Sequence, residues 1–475
     1  MLRAGSIALF CALLVGVALP SSPARAGLEP TGLSKLKHLI FIIQENRSFD
    51  NYFGTYPGAA GFPSPLPCLP SMWYPSQCFP PFADHSDSNA GGPYDNEYQL
   101  SDIDGGAMDG FVIEREKELK NSKCKPQDVG TNKLVVMNDD EVGPLLAKCT
   151  MDVMGYHDGS DLPNYWTYAQ QYVLMDHFFE SIHSQSHPSH LAIFSMWSAK
   201  CAQLNPPDVN SCVADGQPGN IWGQKGYNEP YLWTDITYLL WQNSIDWRVY
   251  LDGGLGNLHD HNKVGAIWDV LPGFEKVQED GQVGNAENYL LPDFFNDAAA
   301  GTLPPVSWVL PHYYDSEHPQ ASIAAGQTYT TSLINAVMSG PAWKDSAIFI
   351  VWDDMGGFYD NMAPPFSFDT LGLGIRVPSL LISPYAKKNF IDHQVCSTDC
   401  YLKLVEDVFI GGARLSSTGR PDPRADYRDE QTAYGDLAND FDFVQQPRPP
   451  MLLSTHPMTM LRKEPTPPTV RYIRR

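Results

Sequence analysis

The hydrophobic pattern of the chain contains two apolar runs without any polar interruption, residues 39–43 and residues 347–352. Isoleucine, valine and aromatic residues, which favour β-strands, make up most of both runs. Strands that are covered on both faces of a parallel sheet lack the polar alternation of half-exposed strands. We therefore predict two fully buried strands at these positions.

Each run is followed by side chains that carry oxygen. Glu45 and Asn46 follow the first run, and Asp353 and Asp354 follow the second. Successive side chains of a strand point to opposite faces, so the two aspartates can address one site only if the strand ends there, as the glycines at 356–357 predict. If the strands are parallel neighbours, all four side chains meet at one edge of the sheet. Carboxylates so close together would repel, which predicts a bound cation; the alternative is a solvated loop.

The remaining pattern indicates an α/β protein. Shorter apolar runs predict further strands at residues 247–251, 306–310 and 377–384. Helical spacing and capping signals predict helices at residues 111–121, 161–180, 191–197, 231–242 and 401–409. Strands that alternate with helices indicate an α/β fold with a mostly parallel sheet. Residues 56–81 are predicted as irregular surface structure, and the proline-rich basic tail from residue 445 as extended or disordered.

The first 26 residues form a separate unit. Arg3 gives a short basic start, residues 6–19 are almost wholly apolar, and Ala24-Arg25-Ala26 is a small-x-small cleavage site. This pattern predicts a secretory signal peptide rather than a membrane anchor, because a spanning helix needs about 20 apolar residues. No later stretch is apolar over such a length. We therefore predict a secreted or periplasmic protein without a transmembrane segment.

Charge and cysteine content narrow the function further. Removal of the signal peptide takes the formal net charge from −23 to about −25, which disfavours nucleic acid as a partner. Eight cysteines remain, and their even number in an exported chain predicts disulfides, most simply between sequence neighbours. A zinc cluster is the alternative, but no Cys-x-x-Cys spacing occurs. The pattern carries no indication of the oligomeric state.

Two further stretches combine residue types that suit catalysis. Residues 181–190 hold four serines and three histidines around one proline, just before the predicted helix 191–197. A helix N-terminus favours an anion or an ionised nucleophile; the alternative is a segment whose serines only cap the helix. His318, in Glu317-His318-Pro319, is a candidate metal ligand or an ordinary surface residue.

Several motifs in these regions resemble a known family. Residues Gln44 to Gly54 read Gln-Glu-Asn-Arg-Ser-Phe-Asp-Asn-Tyr-Phe-Gly, nearly the opening signature of the bacterial phosphoesterases that include non-haemolytic phospholipases C and a group of acid phosphatases. Further matches follow in the family's order: Met108-Asp-Gly-Phe111, Met154-Gly-Tyr156, Asp161-Leu-Pro163, Glu317-His-Pro319, Asp353-Asp-x-Gly-Gly-Phe358, Arg376-Val-Pro378 and Ser383-Pro384. The resemblance covers most of residues 36–410 and lies within the alkaline-phosphatase-like superfamily.

The resemblance implies a three-layer α/β/α sandwich with a mostly parallel central sheet. Residues 27–444 would form this phosphoesterase domain with loop insertions, followed by the tail at 445–475. The implied activity is metal-dependent hydrolysis of phosphate mono- or diesters, including phospholipids, by an acid phosphatase or phospholipase C type of enzyme. The expected cofactor is a divalent ion, Zn, Mg, Mn or Ca.

By position, the resemblance also implies roles for single residues. Ser186 stands where the family has its Thr or Ser nucleophile, and its attack on phosphorus would give a phosphoseryl intermediate that water hydrolyses. Asn46 and His318 are the other expected catalytic residues. The expected metal ligands are Glu45, Asn46, Ser186, Asp353 and Asp354.

Three positions depart from the family's pattern. Tyr94, Asn361 and Thr398 stand where relatives carry histidine, and His85 is a candidate replacement at the first of them. The missing histidines allow an alternative function, a catalytically weak or inactive secreted binding protein on the same fold. Sulfatase chemistry is disfavoured because no arginine lies near Ser186 in the sequence.

Overall fold

The computed structural model describes residues 32–130, 133–139, 143–218, 229–253, 268–367, 369–419, 422–424, 427–463 and 468–472. An eight-stranded sheet lies at its centre. In chain order its strands are β1 (His38–Gln44), β2 (Val173–Met175), β3 (Trp247–Leu251), β4 (Tyr289–Leu290), β5 (Val306–Leu310), β6 (Ser346–Trp352), β7 (Ser379–Ile382) and β8 (Phe390–Asp392).

The strands lie in the order β4-β3-β5-β1-β6-β7-β2-β8. Neighbouring strands are parallel except where β7 pairs with β6 and with β2. All strands other than β7 therefore run in one direction, and their carboxyl ends share one edge of the sheet. This arrangement confirms the predicted α/β class with a mostly parallel sheet, in which ligands bind beyond the carboxyl edge.

Helices surround this sheet. In the described residues they are α1 (Phe49–Phe53), α2 (Asn96–Ile103), α3 (Phe111–Asn121), α4 (Pro163–Gln171), α5 (Ser186–Ser195), α6 (Ile236–Gln242), α7 (Glu275–Glu279), α8 (Val283–Glu287), α9 (Leu291–Ala300), α10 (Ile323–Ser339) and α11 (Thr398–Phe409). They cover both faces, because side chains on the two faces of β6 contact different helices. Phe349 packs on Tyr401 of α11, with ring centroids 4.8 Å apart, whereas Trp352 packs on Tyr165 of α4 at 5.3 Å. Since these two strand positions point to opposite faces, three layers result.

The two central strands are buried as predicted. Residues 39–43 of β1 are at most 2% exposed, and residues 347–352 of β6 are at most 1% exposed. Removing a large apolar side chain from water contributes about 1.5–3 kcal/mol. These strands therefore form a rigid base for whatever follows their carboxyl ends.

Some predicted elements have different bounds or directions in the structure. The helix predicted over residues 161–180 ends at Gln171, and Val173–Met175 form β2, a strand too short to show polar alternation. The strand predicted at 377–384 is the antiparallel β7, since apolar content carries no information on direction. The helix predicted at 191–197 begins earlier, at Ser186, because Pro188 falls in the first turn, where a missing N–H breaks no helical bond.

Of two further predicted helices, one begins later in the structure than expected and the other begins earlier. The helix predicted at 231–242 begins at Ile236, after the Asp235 cap, and the helix predicted at 401–409 begins at Thr398, after the Ser397 cap. In both cases a side-chain oxygen of the cap residue accepts a backbone N–H of the first turn. The polar cap, rather than the first apolar residue, marks the true start.

Short strands lie outside the central sheet. They are Leu69–Pro70, Gln77–Phe79, Phe82–Ala83, Leu134–Asp139, Gly143–Lys148, Gly155–Tyr156, Ala199–Cys201, Cys212–Ala214 and Arg471–Tyr472. The first two lie within residues 56–81, so that region is not wholly irregular as predicted. In the ranges that the structure describes, no helix combines the length and the apolar character needed to cross a membrane.

Disulfides join sequence neighbours, as predicted. The pairs are Cys68–Cys78, Cys124–Cys149, Cys201–Cys212 and Cys396–Cys400. The tail is extended and lies on α10, where Asn335 Nδ2 donates to the carbonyl oxygen of Leu453 at 2.8 Å. The predicted signal peptide, residues 1–26, lies outside the described residues and stays a prediction.

Candidate active site

The ends of β1 and β6 bring the two predicted ligand pairs together. The strands are parallel neighbours in which Gln44 pairs with Trp352, so Glu45 and Asp353 leave the sheet side by side. The backbone N–H of Asn46 donates to Asp353 Oδ1 at 3.0 Å. Two segments that are far apart in the sequence thus meet at the carboxyl edge of the sheet.

The loops beyond these strands have tightly constrained backbones. Asn46 adopts a φ of 58°, a left-handed conformation that asparagine tolerates better than most residues. Gly356 has a φ of +59°, and a Cβ there would lie 2.5 Å from the carbonyl oxygen of Asn46, so only glycine fits. Asp354 Oδ1 joins the two loops, since it accepts Asn46 Nδ2 at 2.8 Å and the Gly356 N–H at 2.8 Å.

Helix α5 presents Ser186 to these oxygens. Ser186 is the first residue of the helix, where free N–H groups and the helix dipole favour an anion. Its Oγ lies 2.9 Å from Asp354 Oδ2, 3.1 Å from Glu45 Oε2 and 3.5 Å from Asn46 Nδ2. Asp353, the most exposed of the five predicted ligands, keeps only 3% of its surface. The structure therefore gathers all five in one buried network.

This network also contains a histidine that the sequence pattern alone did not reveal as a ligand candidate. His190 Nε2 lies 3.1 Å from Glu45 Oε1 and 3.6 Å from Asp353 Oδ2. Among the described residues, these three form a group whose ligand atoms all lie within 4.8 Å of one another. The sequence signal for His190 is its i, i+4 spacing from Ser186, which places both on one helix face. That signal is visible only once the helix is known to begin at Ser186.

The donor set fits a divalent cation. Asp353 Oδ2 and Asn46 Oδ1 are buried and, within the described ranges, have no hydrogen-bond partner. A buried polar atom without a partner costs about 1–3 kcal/mol, and carboxylates that share one dry pocket repel. A cation among them would remove both costs. Its donors would be carboxylate, amide and hydroxyl oxygens together with one imidazole.

A further buried carboxyl supports the loop after β6. Glu180 Oε1 accepts the Met355 N–H at 2.7 Å, and Glu180 Oε2 accepts Gln99 Nε2 at 2.8 Å. Burial raises the pKa of Glu180 well above its usual range, and the nearby charge of Asp353 acts in the same direction. The contribution of Glu180 is to hold the backbone of the ligand loop.

His318 is fully buried, so the alternative that it is a surface residue is wrong. Its ring lies 5.4 Å from the ring of Tyr313 and 6.3 Å from the ring of Trp268. Its Nε2 lies 3.4 Å from the hydroxyl of Tyr94, one of the positions where relatives carry histidine. His318 is outside the described ligand group that contains Glu45. Its catalytic role stays a prediction.

The other substituted positions make structural contacts. Asn361 Oδ1 accepts a hydrogen bond from the buried Arg376 at 2.8 Å. Thr398 Oγ1 lies 2.5 Å from the hydroxyl of Ser181, at the start of the serine-rich segment. His85 Nδ1 pairs with a buried carboxylate at 2.9 Å. The side chains of Asn361 and Thr398, and that of the candidate replacement His85, are therefore each held by a contact within the protein.

Most of this chain is similar in sequence to known proteins. The profile of the Phosphoesterase family matches residues 36–410. Phospholipase C B and Phospholipase C A of Mycobacterium tuberculosis (strain CDC 1551 / Oshkosh) are 27% and 26% identical over 464 residues, covering 91% of this chain and 82% of each relative. Non-hemolytic phospholipase C of Burkholderia pseudomallei (strain K96243) is 25% identical over 431 residues, covering 79% of this chain and 55% of that protein. The matched range includes the ends of β1 and β6 and the start of α5.

Proposed function

We propose, from the premise that this chain belongs to the Phosphoesterase family, that it uses a serine nucleophile beside a divalent metal ion. As a member of that family it is a hydrolase that acts on phosphoric ester bonds. The observation that carries the proposal is the position of Ser186. Its Oγ lies at a helix N-terminus, 2.9 Å from Asp354 Oδ2 and 3.1 Å from Glu45 Oε2.

The metal would be held by the oxygens of the buried network and by one nitrogen. The residues in question are Glu45, Asn46, Ser186, His190, Asp353 and Asp354. When bound, a divalent ion lowers the pKa of a serine hydroxyl and offsets charge on the phosphoryl oxygens. An imidazole among the donors favours Zn or Mn over Mg or Ca, which prefer oxygen alone.

Ser186 would act as the nucleophile in a two-step reaction. Its Oγ attacks phosphorus, its proton passes to Asp354 Oδ2, and the bond from phosphorus to the alcohol oxygen breaks. Water then attacks the phosphoseryl group and gives a proton to His318, the bond from Ser186 Oγ to phosphorus breaks, and the serine oxygen takes back the proton held by Asp354. Backbone N–H groups in the first turn of α5 would stabilise the phosphoryl oxygens during both steps. We assign protonation of the leaving alcohol to His318, the buried imidazole beside Tyr94.

We propose phosphate mono- or diesters as substrates, with phospholipids among the diesters. Support for the diesters comes from relatives named phospholipase C. We also propose that the protein is exported, because paired cysteines persist in oxidising compartments.

One experiment tests the nucleophile and the metal together. Hydrolysis of p-nitrophenyl phosphate, its bis-ester and phosphatidylcholine is measured with and without a chelator, for the natural chain and for Ser186→Ala. We expect the chelator to stop turnover of at least one ester and the substitution to lower kcat by about 10³-fold or more.

Ser189→Ala is the matched control, because Ser189 is a buried serine on the same helix that lies near the backbone oxygen of Ser184 instead of the carboxylates. It should retain activity within a few-fold of the natural chain. Metal uptake without hydrolysis of any ester would overturn the proposal and favour the binding protein. Equal losses in Ser186→Ala and Ser189→Ala would show that disruption of the helix, rather than loss of a nucleophile, explains the defect.

A further inference from the structure

We propose a second metal site, formed by Asp176, His177 and His393, that takes a zinc-type divalent ion and shares no residue with the site around Ser186. Asp176 Oδ1 lies 2.7 Å from His177 Nδ1 and 2.8 Å from His393 Nδ1. One ligand atom from each of the three residues lies within 4.8 Å of the other two. The residue types are those of zinc sites, and the three ligand atoms lie close enough together to reach one ion after small side-chain adjustments.

The sheet itself holds the three ligands in place. Strands β2 and β8 are parallel and pair in register up to their last residues, so Asp176 and His393 directly follow paired strand ends. The N–H of Asp176 donates to the carbonyl oxygen of Asp392 at 3.1 Å. The N–H of Cys396 donates to the carbonyl oxygen of His177 at 3.0 Å. Backbone hydrogen bonds between the segments that follow β2 and β8 therefore hold the backbones of these residues side by side.

The carboxylate is buried and oriented, whereas the two rings reach the surface. Asp176 Oδ2 accepts the Ala60 N–H at 2.7 Å, and Arg376 donates to the carbonyl oxygen of Asp176 at 2.8 Å. The side chain of Asp176 has no exposed surface, but those of His177 and His393 are 23% and 60% exposed. An ion can thus enter from solvent and keep a water molecule as a fourth ligand, the arrangement of open zinc sites.

The way in which the rings converge favours a metal over a simple ion pair. The two imidazoles stand nearly perpendicular, with centroids 5.8 Å apart and both Nδ1 atoms directed at one carboxylate oxygen. Two charged imidazoliums so close would repel, whereas neutral imidazoles are common metal ligands.

The donor types also set the class of ion. Two nitrogens and one carboxylate suit zinc and related first-row ions, whereas calcium and magnesium prefer oxygen donors. The group around Ser186 is rich in oxygen and contains one imidazole, His190. The two sites should therefore differ in metal preference, with the second one more selective for zinc.

Zinc stoichiometry tests the proposal. The full chain, without a polyhistidine tag, is stripped with a chelator, dialysed against zinc chloride and analysed for bound zinc by atomic spectroscopy. We expect His393→Asn to bind one equivalent fewer than the natural chain. With Co²⁺ as the probe, the same variant should lose the visible absorption bands of one four-coordinate ion.

His456→Asn is the matched control, since His456 is an exposed histidine of the tail and should leave the stoichiometry unchanged. The comparison is repeated in an Asp353→Asn background, so a failure of the site around Ser186 would not hide the second site. Equal zinc uptake by His393→Asn and His456→Asn in both backgrounds would overturn the proposal. His177→Asn, checked for folding by circular dichroism, decides the question where His393→Asn does not fold.

Discussion

The two groups of candidate metal ligands lie at the same edge of the sheet but differ in burial. Parallel strands β1 and β6 deliver Glu45 and Asp353 to the first group, and parallel strands β2 and β8 deliver Asp176 and His393 to the second. Residues of the first group are 0–3% exposed. In the second group the carboxylate is buried, but the His393 side chain is 60% exposed. In both groups, the adjacent carboxyl ends of two parallel strands bring the residues together, once at the centre of the sheet and once at its margin.

The difference in burial sets what each group can do. In the interior, charges are weakly screened, so a cation bound there would act strongly on Ser186 Oγ, together with the helix N-terminus. At the margin, water competes for the two exposed imidazoles, and the Ala60 N–H already donates to the Asp176 carboxylate. The interior group is therefore suited to chemistry. The marginal group is suited to joining the ends of two short strands.

Removing a carboxylate from the interior group should have the largest effect. Asp353→Asn removes one charge from the ligand set and leaves the backbone intact. We expect kcat/KM for p-nitrophenyl phosphate to fall by about 10³-fold, because several kcal/mol of charge stabilisation are lost. Asp246→Asn is the control, since its side chain is 53% exposed. If Asp353→Asn kept more than about a tenth of the activity, the interior group would not be the catalytic metal site.

A buried carboxyl, that of Glu317, lies on the face of the sheet opposite to α5. Glu317 accepts the hydroxyls of Tyr52 and Tyr165 at 2.7 and 2.6 Å and Trp352 Nε1 at 3.1 Å. Burial raises the pKa of Glu317 from 4.5 to about 7, although the hydrogen bonds from Tyr165 and Tyr52 oppose this shift. The hydrogen-bond donors to its carboxyl are uncharged, but the charge of Arg47 also opposes the shift.

Because the folded state holds this proton more tightly than the unfolded state, the protein should lose stability as pH rises from 4.5 to about 7. The loss should be about 3 kcal/mol, with no further change from this group at higher pH. Urea unfolding across this range measures it. Glu317→Gln should flatten the profile, whereas the exposed control Glu430→Gln should not. Parallel profiles for all three proteins would show that Glu317 titrates alike in both states.

Much of the interior site follows from the sequence, because its strands are long and buried on both faces. The polar residues that end such runs mark the carboxyl edge of a parallel sheet, and so Glu45, Asn46, Asp353 and Asp354 could be placed together. Ser186 followed from a resemblance rather than from spacing. Its own segment reads equally well as a helix cap.

The marginal site could not be predicted in this way. Strands β2 and β8 contain three residues each, too few to show alternation, and the residues of β2 were predicted to lie in a helix. Asp176 and His393 are also 217 positions apart, and only the pairing of these short strands brings them together. The direction of a strand could not be predicted from the sequence either. Apolar content signals burial, and β7 is apolar like the parallel strands of the sheet although it runs in the opposite direction.

The smallest of these effects concerns His190, the one imidazole in the interior group. His190→Asn should weaken metal binding by about 10- to 100-fold, because the oxygen ligands remain. Turnover of p-nitrophenyl phosphate measured against metal concentration would show a shifted midpoint with nearly normal activity at saturation. His187→Asn is the matched control, since His187 lies on the same helix but contacts the hydroxyl of Tyr231 at 2.8 Å. An unshifted midpoint in His190→Asn would show that His190 is not a metal ligand. The interior site would then have oxygen ligands alone, whereas the site at the margin of the sheet has two histidines.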